Sequence, residues 1–492
     1  MFQKLINKYG SIKVDLFLFV IIHFLVWSIV PIFRETLPMD TIEAIIWGQN
    51  GGWLTNKHPP LSGYVANTFY QIFFHQNISM YILSQVFVDI GFIYIYKLAR
   101  LFISERRSVL SVLLLEGVIY YGFTSTEFNV NIISLALWPM TAYYFYISIN
   151  NNKIRDWIIL GVLVGVNILN KYSCVNLFFG MFIYLCVSRE TRKQFLNKNL
   201  YICGIIALLC VLPHLYWLYK TDFIVFDYFK SRTVINPKLG LLANIIYPTK
   251  FIFAQFVAGL VAIIMFSVAY IKSKKDTIFV ENDDKLFMCC LGVLPLFATA
   301  LPSLISGVKL KSMWGTPCLY MLTIMLFSFL HFEMKENTYK RLKCSVYFVM
   351  TIFAISNMVM TITTKSIRYY FPKDTFVENM TNYWKNETSN EKLKYVMGDI
   401  WYTSHMSLYQ KDKPHVIYNI DAKYKNILNE SELAKHGVMI LGTNVNEVQY
   451  FQDILSVHDK IKEYSFKTKN LFGKGKKYTL YYSIIKPTII IK

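Results

Sequence analysis

Apolar and polar positions divide the chain into two regimes. Up to about residue 364, apolar runs alternate with short polar stretches, at 14–33, 78–96, 109–123, 132–149, 157–169, 175–187, 200–219, 251–271, 286–305, 314–330 and 344–362. Runs of this kind predict a polytopic α-helical membrane protein with about eleven spans, or about 11 to 13 once split or missed runs are allowed for. From about Phe371 onward Asn, Lys and Glu become frequent. Short β-prone runs appear at 394–397, 416–418, 438–441 and 478–485, with helical patterns at 403–410 and 446–454 between them. That succession predicts a small soluble α/β domain, a sheet covered by helices. The expected organisation is a membrane domain over 1–364 with an external loop at 34–77, followed by a soluble domain over 365–492.

Composition agrees with this reading. The chain is 54% hydrophobic, with a mean hydropathy of +0.36, and a soluble protein of 492 residues cannot hide that much apolar surface. The formal charge is +20. Basic residues recur in every second loop, as the positive-inside rule requires, so the charge reads as an orientation signal and not as a nucleic-acid surface. Lys4, Lys8 and Lys13 place the N-terminus in the cytoplasm, and the loop after the first span and the C-terminal domain then lie outside. The first apolar run lacks a small-residue cleavage site and reads as a retained span. The eight Cys lie in or beside apolar runs without CxxC or metal-ligand spacing, as buried hydrophobes do. No internal repeat is visible, which disfavours a repeat-built transporter.

The external loop 34–77 is the densest in candidate chemistry. Asp40 and Glu43 are three positions apart, so a helix puts both on one face. Either they cap that helix, with Glu43 in the capping-box position, or Asp40 serves as a general base for a hydroxyl with Glu43 in support. Gly51 and Gly52 predict a turn. Lys57 and His58 stand before Pro59 and Pro60, whose stiffness would hold a cation and an imidazole at the membrane surface. That arrangement suits a phosphate, although a snorkelling Lys and an interfacial His read the same way.

Other external loops carry isolated polar groups beside aromatics. Glu127, Asn129 and Asn131 occupy one turn. Lys171 follows Asn170 at an external helix end, where the positive-inside rule does not account for it. Lys230 and Arg232 lie in FDYFKSRT, and Lys309, Lys311 and Trp314 in SGVKLKSMWGTP. Together they could surround an anionic lipid headgroup. There is no GxGxxG, Walker, HExxH or nucleophile-elbow motif. An external transferase has no ATP and needs a lipid-linked donor.

The stretch MDTIEAIIWGQNGGWLTNKHPPLSGY resembles the first external loop of bacterial ArnT-like, PMT-type glycosyltransferases of the GT-C superfold, which include lipid A aminoarabinose, galacturonosyl and galactosamine transferases. FNVNIISLALWPMTAYYF, GVNILNKYSCVNLFFG, FIFAQFVAGL, SGVKLKSMWGTP and WYTSHMSLYQKDKPHVIY continue the likeness. The resemblance implies a GT-C bundle in the bacterial inner membrane with a periplasmic C-terminal domain. It also implies inverting transfer of a sugar from a polyprenyl (undecaprenyl) phosphate to an envelope glycolipid, lipid A being the leading acceptor. Asp40 matches the family's catalytic Asp. His58 falls at a phosphate-binding Lys, Lys57 at a metal-binding Glu, and Lys171 at a recurrent Lys-Tyr. The expected donor-phosphate contacts are therefore His58, Lys57, Lys171 and Arg232, and the substrate contacts Glu127, Asn129, Lys311 and Trp314. The family's second Asp has no clear equivalent, Glu127 being the nearest carboxylate. Because Lys57 replaces a ligand, no metal-binding residue is assigned, and dependence on a divalent metal is left open. Protein or polysaccharide acceptors, and transport of the lipid-linked sugar, remain alternatives. Expected partners are the donor, the glycolipid acceptor and membrane lipids, without nucleic acid.

Overall fold

The structure is a computed structural model that describes residues 11–53, 55, 57–232, 237–275, 281–417 and 429–487, with backbone only at 228, 229, 231, 232 and 237. By internal contacts the chain divides into two compact units. One comprises Met1–Pro31, Trp53–Ser62 and Tyr81–Asn357, and the other Ile32–Gly52, Gly63–Met80 and Met358–Lys492.

The first unit is a helical bundle. Seven helical stretches in the described chain are long and apolar enough to cross a membrane: Ser11–Phe33, Asn77–Phe102, Val130–Asn151, Lys198–Lys220, Lys238–Lys272, Asn282–Ser306 and Glu336–Thr363. The pair Ser312–Leu319 and Leu322–Phe329, bent by 49°, raises the number to eight if it counts as one span. Counted by length and composition alone, the described helices give fewer than the expected 11 to 13. Four of the expected segments form shorter or broken helices: 109–123, 157–169, 175–187 and 314–330. The first breaks after the helix Glu105–Leu113 into a single turn Leu114–Gly117. There the backbone comes so close to another helix that a Cβ on Gly117 would lie 2.6 Å from Ala262 N. The others are limited by length. Ile154–Asn170, with 17 residues, rises about 25 Å, at the short end of what crosses a bilayer.

Small residues set the closest helix packing. A Cβ on Gly161 would lie 2.7 Å from Cys203 O, and one on Gly165 would lie 2.5 Å from Cys210 Cβ. Helices Ile154–Asn170 and Lys198–Lys220 thus approach through a small-xxx-small stripe, as helices do where lipid offers no hydrophobic drive. Polar groups inside the spans pair with one another. Trp27 Nε1 donates to Glu116 Oε1 at 3.1 Å. His23 Nε2 lies 2.9 Å from the Tyr121 carbonyl oxygen and 3.4 Å from Glu116 Oε2.

The second unit is built on a five-stranded sheet in the order β2-β1-β3-β5-β4. Its strands are β1 Tyr395–Gly398, β2 His415–Ile417, β3 Val438–Gly442, β4 Lys462–Lys467 and β5 Lys477–Ile485. β1 runs parallel to β2 and β3, whereas β3/β5 and β4/β5 are antiparallel. β3, VMILG, is buried at every position, as a central strand covered on both faces requires. The helix Val445–Leu455 buries Val448, Phe451 and Ile454 in a core shared with Met397 and Ile440 of the sheet. Asn444 caps it by accepting from Glu447 N at 2.9 Å. The helix Ile400–Tyr409 is capped by Asp399 Oδ1, which accepts from Trp401 N at 3.0 Å and Tyr402 N at 3.3 Å.

Candidate functional site

In the second unit Asp40 and Glu43 lie on the helix Met39–Asn50. Its N-cap is Pro38, without a side-chain cap, so Asp40 stands inside the first turn and does not cap. The helix dipole favours a carboxylate there. Asp40 is partly exposed, whereas Glu43 is buried.

Two contacts position this helix. At its C-terminal end it crosses the helix Leu61–Ile72 at two glycines, and a Cβ on Gly48 would lie 2.1 Å from Gly63 O. It also packs against the helix Ile400–Tyr409, and Asn50 Nδ2 donates to Val416 O of β2 at 2.8 Å. The chain leaves it through Gly51 and Gly52, at φ 73° and 98°, a conformation that glycine adopts without a Cβ penalty. The predicted turn is present.

In the first unit Lys57 and His58 sit in a turn knotted by Thr55. Thr55 Oγ1 accepts from Lys57 N at 3.2 Å and His58 N at 2.9 Å, and donates to His58 O at 2.8 Å. Pro59 and Pro60 follow, both buried, and the helix begins at Leu61. The His58 ring keeps some accessible surface, yet its recess is deep. Loss of hydration, then the positive charges of Lys171 and Lys57, hold its pKa down at about 3. The imidazole is therefore neutral at physiological pH, and both ammonium groups are close enough to act on it.

Lys171 comes from a distant part of the chain, at the C-cap of the helix Ile154–Asn170. It is 8% exposed, and its Nζ donates to Asn131 Oδ1 at 2.6 Å. Asn170 Nδ2 donates to Val130 O and Ser134 Oγ, both at 2.9 Å, which fixes the loop against the start of the helix Val130–Asn151. Asn129 caps that helix by accepting from Asn131 N at 2.8 Å, and its Nδ2 donates to Glu127 O at 3.0 Å. Tyr172 OH lies 2.8 Å from His214 Nε2, and His214 Nδ1 lies 2.6 Å from Trp53 O. That chain of contacts ties the Lys57 turn to the Lys171 loop.

The structure thus gathers Lys57, His58, Lys171 and Asn131. Glu127 is half-buried beside them in sequence, with Asn129 as a helix cap. Lys311 is exposed at the start of the turn Ser312–Leu319, in which Trp314 is half-buried. Gln255 clamps that turn: its Nε2 donates to Ser312 O at 2.9 Å and its Oε1 accepts from Tyr120 OH at 2.8 Å. Arg232 ends the helix Ile224–Arg232, and its side chain lies outside the described residues. Sequence reasoning passed over Thr55 and His214. The signal for His214 is an imidazole in the middle of an apolar run, which membranes tolerate only with a partner.

Lys57 and Lys171 bring cations to this recess, which disfavours a divalent metal beside them. Among the described residues no group of three or more His, Cys, Asp or Glu is arranged to hold one.

Residues 57–217 match the model of the dolichyl-phosphate-mannose-protein mannosyltransferase family. The matched segment contains Lys57, His58 and Lys171. No curated protein sequence matches. Among solved structures the chain is similar to ArnT from Cupriavidus metallidurans bound to undecaprenyl phosphate, with a TM-score of 0.62 at 11% identity over 94% of this chain and 97% of that one. It is also similar to the apo state of the same protein, with a TM-score of 0.52 at 11% identity and the same coverage. The fold and the apolar helices define the class, a multi-pass membrane protein; the family match covers only residues 57–217. Within that class its architecture is ArnT-like, with a small C-terminal sheet domain.

Proposed function

We propose that this protein is an inverting glycosyltransferase of the bacterial inner membrane that moves a sugar from a polyprenyl phosphate to an envelope glycolipid, with lipid A as the leading acceptor. The observation that carries this reading is the convergence of Lys57, His58 and Lys171, where two cations and a neutral imidazole share one recess. A phosphate monoester is the group such a set holds best, with the lysines as charges and the imidazole N–H as a donor.

In the proposed reaction an acceptor hydroxyl oxygen attacks the anomeric carbon. The bond from that carbon to the phosphate oxygen breaks on the opposite face, and the electron pair leaves with the polyprenyl phosphate. That group gains one negative charge, which Lys57 and Lys171 neutralise. The hydroxyl proton passes to Asp40, with Glu43 supporting the helix turn that presents it. ArnT from Cupriavidus metallidurans, similar in fold, is bound to undecaprenyl phosphate, and Lys4, Lys8 and Lys13 favour a cytoplasmic N-terminus with the site and the C-terminal domain periplasmic. Glu127, Asn129, Lys311, Trp314 and Arg232 are the proposed surrounding contacts.

The experiment is mass spectrometry of lipid A from cells with the protein, without it, and with Asp40→Asn. One sugar mass should vanish in the deletion and fall by about 10²- to 10⁴-fold in the variant, the range for loss of a general base. Full activity of Asp40→Asn refutes the mechanism, and unchanged lipid A in the deletion refutes the acceptor. The family description, which names protein mannosyltransferases, favours a protein acceptor as the second reading. In that case glycopeptides change and lipid A does not.

A further inference from the structure

A second basic site lies in the first unit, away from the residues assigned above. A cleft of about 390 Å³ opens between three helices. Lys97 reaches it from Asn77–Phe102, Tyr143 and Tyr144 from Val130–Asn151, and Lys153, Arg155 and Asp156 from the junction with Ile154–Asn170. Asn131, the Lys171 partner, stands at the start of Val130–Asn151, while this cleft lies at its end. At 1.5 Å per residue the helix separates the two by roughly 20 to 30 Å.

The lining carries three cations and one carboxylate. Among the described residues none of the three cations forms an ion pair. Lys97 Nζ is instead held over aromatic faces, 4.6 Å from the Tyr94 ring centroid and 5.9 Å from that of Tyr143. Tyr143 also packs edge-on against Tyr144 at 5.4 Å. Lys97, Lys153 and Arg155 are exposed, and all three line one concavity with a tyrosine wall.

Beside it, Ile93, Ile154, Ile158 and Val162 are exposed. Apolar side chains open to the outside on membrane-crossing helices face hydrocarbon. The cleft therefore sits where the apolar belt ends, at the depth of a phospholipid phosphate. Asp156 is buried and supplies an acceptor on a wall that is otherwise basic.

We propose that this cleft binds the headgroup of an anionic phospholipid, with the phosphate on Lys97, Lys153 and Arg155 and a headgroup hydroxyl donating to Asp156. Basic pockets between membrane helices hold lipid phosphates by this means. The site is independent of the donor-phosphate residues and of the proposed reaction.

The test uses the purified full-length chain in detergent and native mass spectrometry. Wild type and the triple variant Lys97→Gln, Lys153→Gln, Arg155→Gln are titrated with phosphatidylglycerol, phosphatidylcholine, phosphatidylethanolamine or inorganic phosphate. A control triple, Arg189→Gln, Lys193→Gln, Arg341→Gln, removes the same charge from exposed positions elsewhere. Each cation beside an anionic lipid is worth about fivefold, so the cleft variant should bind phosphatidylglycerol about a hundredfold more weakly. The control triple should match wild type, and phosphatidylcholine should not distinguish the three proteins. Equal retention of phosphatidylglycerol by wild type and cleft variant overturns the proposal. So does displacement of phosphatidylglycerol by millimolar inorganic phosphate, which marks a free-anion site, or stronger retention of phosphatidylethanolamine, which assigns the site to Asp156 and an ammonium. Should the triple variant fail to fold, Arg155→Gln alone is read the same way, with about a fivefold loss expected.

Discussion

Asn131→Asp separates the phosphate reading from a purely structural one. The change keeps the shape of the side chain but places a full negative charge at the atom that accepts from Lys171 Nζ at 2.6 Å. Both residues are buried, so solvent screens the new charge poorly. If Lys171 holds a donor phosphate, that phosphate comes to about 6 Å from the new carboxylate. At an effective dielectric of about 20 the repulsion is about 3 kcal/mol, or roughly a hundredfold in affinity. The fold itself should not suffer, because the new carboxylate pairs with the ammonium it already contacts. The assay is quenching of intrinsic tryptophan fluorescence by farnesyl phosphate, a short polyprenyl phosphate, alongside thermal unfolding. The expected result is a Kd raised about a hundredfold with an unchanged or higher Tm. Asn131→Leu removes the acceptor without adding charge; it should cost about 1.5 to 3 kcal/mol of stability, the worth of a hydrogen bond to a charged group, with a smaller effect on binding. An Asn131→Asp protein that binds the probe as tightly as wild type refutes the assignment of Lys171 to phosphate.

Two more outcomes follow from the geometry. His58 has a folded pKa of about 3 against an ordinary value of 6.5, so the unfolded chain takes up the proton first. Its contribution to stability is complete above pH 6.5 and is lost as pH falls toward 3. Wild type should therefore lose more Tm between pH 7.5 and pH 5 than His58→Gln, and parallel profiles would contradict the buried, doubly repelled imidazole. Gly48→Ala must push the helix Met39–Asn50 away from Gly63 O, since the added carbon would start 2.1 Å from it. Overpacking of this kind costs about 1 to 3 kcal/mol, and sugar transfer should fall with it while farnesyl phosphate binding stays at the wild-type level. Full transfer by Gly48→Ala would show that the position of the Asp40 helix does not matter.

How much could be read from the chain beforehand depended on how local the signal was. Four strands and two helices of the C-terminal region follow from runs such as Val438–Gly442, whose burial is complete. β4 was missed because half of KEYSFK is charged and it lies at the sheet edge, where only Phe466 is buried. The helix Lys373–Glu387 was missed although Phe376, Val377, Met380 and Trp384 are buried at helical spacing. Hydropathy is blind to breaks: Glu116 and Gly117 stop one helix for reasons of hydrogen bonding and close approach found on other helices. Asp40 and Glu43 were legible as a pair because a helix fixes their spacing. The meeting of His58 with Lys171 was not, since 113 residues separate them in the sequence and no periodicity links them. The family resemblance supplied that link, and Asn131 emerged as the partner of Lys171 only in three dimensions.

The Asp40 helix folds against elements made at the far end of the chain. Asn50 and Val416, which share a hydrogen bond, are 366 residues apart. At about 5 to 20 residues per second, synthesis leaves the helix roughly 20 to 70 s without that partner. During this interval the apolar face of Ile42, Ile45 and Ile46, fully buried in the finished unit, has no cover from the C-terminal segment. The last strand, Lys477–Ile485, then joins the sheet that seats it. A chain truncated before that point loses the support of its first loop, so synthesis of that strand is the step that completes the packing of the Asp40 helix, and a prematurely terminated product would be silent even with its membrane bundle intact.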